Sequence, residues 1–162
     1  MVWTVYGDIY ETSGELTDNS KFQTIIMPEN SIIIGIRTWV ILVNDPTFTG
    51  LSMNIYSNRT DSGENAPGKL LYSSSDSRTK AELLTDNSGN KEIYFSFDNV
   101  NLRGGDKYNV ILTGTGYSAS SSSYLAWRNA WPDPVYTENY TPTKENINRS
   151  PKFISTVIGG VF

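Results

Sequence analysis

The 162-residue chain contains no histidine and no cysteine. Without histidine it lacks the usual general base near neutral pH, the usual zinc ligand and any Ser-His or Cys-His nucleophile pair. Without cysteine it forms no disulfide and is indifferent to the redox compartment it occupies. Carboxylate chemistry remains. A glycoside hydrolase needs two carboxylates facing each other across a cleft at about 5 to 9 Å. Glu82, Glu92, Asp98, Asp133 and Glu138 supply carboxylates in number, but no motif pairs two of them. The expectation is a protein that is not an enzyme and holds no transition metal.

Clustered positive charge and long apolar runs are missing too. The 13 Lys and Arg are scattered, and 17 Asp and Glu leave a net charge of -4. Nucleic-acid binding draws its affinity from clustered cations, so no nucleic-acid partner is expected. The longest apolar stretch, 32–43, is broken by Gly35, Arg37 and Thr38 and falls short of the roughly 20 residues of a membrane-spanning helix. The start, Met-Val-Trp-Thr-Val-Tyr-Gly-Asp, has neither the basic nor the apolar region of a secretory signal. No window keeps a helical apolar stripe; residues 78–84 come nearest and are too short to rank above a strand or a single turn.

What the chain does have is β-patterning. Alternating or continuous β-branched and aromatic runs occupy 2–10, 22–27, 31–43, 51–57, 69–73, 91–97, 107–113, 123–127 and 152–161. Between them stand turn formers such as Asp61-Ser62-Gly63, Ala66-Pro67-Gly68 and Arg103-Gly104-Gly105. Period-2 alternation assigns Ile32, Ile34, Ile36, Thr38, Val40 and Leu42 to a core face. It likewise turns Leu51, Met53 and Ile55, then Ile93, Phe95 and Phe97, then Tyr108, Val110 and Leu112 inward. Half-buried strands with short turns predict an all-β protein, a two-sheet antiparallel β-sandwich of jelly-roll type. One domain is expected overall, with 1–21 as an N-terminal strand or arm and 22–162 as the sandwich.

The succession Phe22-Gln23-Thr24, Ser31 to Ile36, Leu51 to Tyr56, Phe97 to Leu112 with its Gly104-Gly105-Asp106-Lys107-Tyr108 element, Tyr124-Leu125-Ala126-Trp127 and Phe153 to Thr156 resembles jelly-roll β-sandwich modules of phage virion and bacterial surface proteins, which are similar to carbohydrate-binding modules. The resemblance runs from about Phe22 to Phe162 and contains no catalytic motif. It implies a virion or extracellular setting, and a fold likeness does not carry a function by itself.

The richest local feature is the stretch 117–140, where Tyr117, Tyr124, Trp127, Trp131, Tyr136 and Tyr140 stand among Ser, Asn, Asp and Pro. Rings beside short hydrogen-bonding side chains suit a sugar, whose C–H face stacks while its hydroxyls are bonded. In that reading Trp127, Trp131, Tyr136 and Tyr140 form the platform and Arg128, Asn129, Asp133 and Asn139 bond hydroxyls. The competing reading places Trp127 in a core strand and uses Trp131 to close an end of the sandwich. Pro132 and Pro134 keep Trp131 out of a central strand and favour a surface loop. A second set, Trp39 with Arg37 and Trp3 with Tyr6, fits subunit contacts, Arg37 being placed to stack on an indole.

No cofactor is expected. Calcium is the one alternative, at Asp61-Ser62-Gly63-Glu64-Asn65 or Asp86-Asn87-Ser88-Gly89-Asn90, although neither turn has EF-hand spacing. The sequons at Asn58, Asn139 and Asn148 are what an Asn-, Ser- and Thr-rich chain yields by chance. Two functions therefore stand side by side: an adhesion module that binds glycans through the aromatic stretch, or a structural phage assembly protein, such as a capsid decoration, fibre or tail component, whose aromatics contact neighbouring virion subunits in a homo-oligomer.

Overall fold

The computed structural model describes residues 2–8, 22–27, 29–61, 63–83, 90–118, 120, 123–127, 129–130 and 152–161. Its strands are β1 (Val2–Asp8), β2 (Gln23–Ile26), β3 (Ser31–Val43), β4 (Gly50–Asp61), β5 (Glu64–Ser73), β6 (Asn90–Leu102), β7 (Lys107–Thr115), β8 (Tyr124–Trp127), β9 (Asn129–Ala130) and β10 (Lys152–Val161), with one helical turn, α1 (Lys80–Leu83). All strand pairings among the described residues are antiparallel. One sheet runs β1-β10-β3-β6, with β8 on β3 and β9 on β10; the other runs β2-β7-β4-β5. The pairs β4–β5, β3–β6, β2–β7 and β1–β10 nest inside one another, as in a long hairpin rolled across two sheets.

The sheets share one core. Ile33, Ile36, Val40, Ile93, Phe95, Phe97, Val100 and Leu102 from the first sheet meet Ile25, Leu51, Met53, Ile55, Tyr108, Val110 and Leu112 from the second. Met27, Phe48, Leu83 and Leu125, all buried, belong to the same core. Leu83 is presented by α1, whose start is a reciprocal cap: the Thr79 N–H donates to Glu82 Oε2 at 2.6 Å and the Glu82 N–H donates to the Thr79 carbonyl at 3.2 Å.

The face assignment of β3 needs a correction. Ile34, expected in the core, is 45% exposed, while Ile33 is fully buried. Both ladders of β3 skip at this point, with Ile33 paired to Gly159 and Val100 and Gly35 to Ile158 and Ser96. Against β10, where Ile158 and Gly159 are consecutive, Ile34 is the extra residue of a bulge, while against β6 it stands opposite residues 97–99; the irregularity changes the inward set from Ser31 and Ile33 to Ile36, Thr38 and Val40. β6 answers at the same level, where Asn99 takes a φ of 48° and shifts the inward set from Phe97 to Val100.

β4 and β5 also extend past the expected ends, meeting at the pair Asp61 and Glu64. Pro67 lies within β5 opposite Asn58, where a turn was expected. An edge strand tolerates a missing N–H on its outer side. The free edge of β6 is covered by residues 74–78. Ser75 N–H donates to Ser96 O at 2.8 Å, Ser96 N–H donates to Asp76 Oδ1 at 2.9 Å, and Arg78 Nε donates to Tyr94 O at 2.8 Å. The same segment bonds β4 through Leu51 and Met53 and so closes one side of the sandwich. Among the described residues no helix is long and apolar enough to cross a membrane.

Candidate functional site

An open groove of about 500 Å³ lies where the β6–β7 turn passes β4, lined by Ser57, Asn58, Gly105, Asp106, Lys107 and Tyr108. Its turn wall is held firmly. Gly105 has a φ of 83°, in the left-handed region that favours glycine. Gly104 presses on the β2–β3 connection, where a Cβ would lie 2.6 Å from Glu29 Cα. The Gly104 N–H donates to Asn30 Oδ1 at 3.0 Å, the Gly105 N–H to Met27 O at 3.0 Å, and the Arg103 N–H to the Tyr108 hydroxyl at 2.9 Å. Asp106 and Lys107, both exposed, therefore project from a pinned backbone.

The β4 wall is fixed by a buried amide. Asn109 is fully buried although it points outward from the second sheet. Its Nδ2 lies 3.0 Å from Asn58 Oδ1 and 3.2 Å from both Ser57 O and Ala66 O, and its Oδ1 accepts from Thr24 Oγ1 at 2.8 Å. Asn58 Nδ2 then donates to Asn65 Oδ1 at 3.2 Å, which also accepts from Lys107 Nζ at 3.3 Å. Both ends of the Asn58 amide are thus engaged within the fold. The Asn65 oxygen faces an ammonium group, an unfavourable place for a calcium ion.

Three groups are left for a ligand. Asp106 makes no hydrogen bond or ion pair among the described residues. Lys107 has two of its three N–H donors left after Asn65. The Ser57 hydroxyl accepts from Lys69 N–H at 2.8 Å and keeps its own proton to donate. Tyr108, the ring among the described lining residues, is buried and offers no stacking face.

The residues expected to bind are placed unevenly. Trp127 is in β8, its backbone opposite Val40, and Asn129 is in β9 opposite Phe153. The side chains of both, and all of Arg128, Trp131, Asp133, Tyr136, Asn139 and Tyr140, lie outside the described residues. Tyr117, at the start of the aromatic stretch, packs against Phe48 with ring centroids 6.4 Å apart, and its hydroxyl accepts the Leu125 N–H at 2.9 Å. It is a core satellite and no platform. Of the expected contact residues, Arg37 is half-buried in β3 opposite Tyr94; Trp39 pairs with Glu92, Trp3 with Val157 and Tyr6 with Ile154, and these three side chains lie outside the described residues.

Asp106 and Lys107 were legible in the sequence only as part of a turn-and-strand element. The signal that could have drawn attention to them is a double glycine followed at once by two opposite charges, which no alternation requires.

No family model matches the chain, and no curated protein matches it by sequence. Among solved structures, it is similar over 100% of its length to a crystal structure of a CocE/NonD family hydrolase from Staphylococcus aureus, at 10% identity and a TM-score of 0.38, spanning 33% of that chain. A likeness at this level carries no functional argument.

Proposed function

We propose that the chain is a non-catalytic binding module of a virion or an extracellular surface, and that its partner is a glycan. The observation that carries this reading is the pinned polar groove, whose lining residues include the carboxylate-bearing Asp106, the ammonium-bearing Lys107 and the hydroxyl-bearing Ser57. Glycans offer many hydroxyls that both donate and accept, and such a mixed set answers them. Among the described lining residues Asp106 supplies one carboxylate, half of what hydrolysis of a glycosidic bond demands, which supports binding over catalysis. The aromatic stretch with Trp127, Trp131, Tyr136 and Tyr140 supplies stacking rings in this reading. The resemblance to virion and surface modules supports the setting. No cofactor takes part.

The second reading is structural assembly in a virion, and it is favoured by Leu70 and Leu71, 47% and 39% exposed on the edge strand β5. Neighbouring subunits could bury both. A glycan array read beside the solution mass of the same preparation separates the two. Saturable glycan binding by a monomer supports the module, whereas a stable oligomer that retains no glycan supports assembly.

A further inference from the structure

The groove narrows the kind of sugar it would take. We infer that Asp106 and Lys107 recognise a neutral saccharide unit through a pair of adjacent hydroxyls; this rests on the glycan-binding reading above. A carboxylate has two oxygens that accept hydrogen bonds side by side, and two hydroxyls on neighbouring carbons present two donors at a matching spacing. Asp106 is exposed, projects from a turn held by Asn30, Met27 and Tyr108, and has no partner of its own among the described residues. It therefore meets such a pair without giving up an internal bond. Lys107 is anchored on Asn65 and has two further donors for the oxygens of the same diol, and Ser57, another lining residue, keeps its hydroxyl proton as a third donor.

Charge selects further. A sialylated or sulfated unit would bring its anion beside Asp106, and like charges in one site oppose binding. Lys107 offsets part of that opposition but shares its ammonium with Asn65. Among the described lining residues no ring is accessible, so the selectivity of these groups rests on hydroxyl geometry.

The test uses the full chain on an array of neutral, sialylated and sulfated glycans, before and after periodate oxidation, which cleaves adjacent diols to aldehydes, and borohydride reduction of those aldehydes. Wild type is expected to retain neutral glycans and to lose them after oxidation. Asp106→Asn keeps the shape and removes the charge; it should weaken binding about tenfold or more at an unchanged melting temperature. Lys107→Met should weaken it less. If Asp106→Asn and Lys107→Met bind as wild type while Trp131→Ala does not, the chain binds glycans elsewhere and the groove assignment is wrong. A preference for sialylated or sulfated glycans would overturn the neutral-diol assignment alone. No retention of any glycan by folded wild type would overturn the glycan reading itself.

Discussion

Tyr94 covers Gly35: its hydroxyl donates to the Ile34 carbonyl at 3.3 Å, and a Cβ at Gly35 would overlap its Oη, Cζ and Cε2 atoms. The contact sits beside the β3 bulge that turns Ile34 out of the core. A half-buried tyrosine thereby guards the glycine that a strand would otherwise leave bare.

Gly35→Ala is expected to displace Tyr94, break its bond to Ile34 and cost about 1 to 3 kcal/mol in denaturant unfolding. The loss should shrink in a Tyr94→Ala background, where the added methyl meets no ring. Equal losses in the two backgrounds would show that the backbone, and not Tyr94, requires glycine.

Gly159→Ala should be worse. Its Cβ would overlap the Ile32 carbonyl oxygen, which belongs to the β10–β3 ladder and cannot swing aside as a side chain does. A loss of about 3 kcal/mol or more is expected, together with faster hydrogen exchange along β10.

Phe95 and Ile34 separate the two faces set by the bulge. Phe95→Ala should cost about 3 to 5 kcal/mol, because a fully buried ring leaves a cavity between the sheets. Ile34→Ser is expected to change stability by about 0.5 kcal/mol or less. Comparable losses at both positions would contradict the bulge.

Asn109 is the internal support of the groove. Asn109→Asp preserves its shape but sets a carboxylate against the Ser57 and Ala66 carbonyls and the Asn58 oxygen, all within 3.2 Å of Nδ2. Destabilisation of about 3 kcal/mol is expected in urea unfolding. A melting temperature equal to wild type would mean that the amide network contributes nothing to holding β4 and β5.

The strand inventory was legible because period 2 and turn chemistry are local. β3 and β10 begin and end at the residues the patterning marked, 31–43 and 152–161. Their bulge was not legible, since the extra residue is fixed by ladders to Gly159 and Val100, far away in sequence. For the same reason Ala66-Pro67-Gly68 reads as a turn: only the pairing of Pro67 with Asn58 reveals an edge strand. The groove was hidden because Ser57 and Asp106 meet through tertiary packing, and neither belongs to a recognisable motif. Aromatic residues drew attention to 117–140 on composition alone, and composition could not tell that Tyr117 packs inward against Phe48.

Glycan binding by the purified, folded chain at micromolar concentration is the measurement that bears most directly on this account. Saturable retention of neutral glycans, with a glycan-to-chain ratio of about one if each chain uses a single groove, is the predicted result. A folded chain that leaves every glycan on the array at background would contradict it.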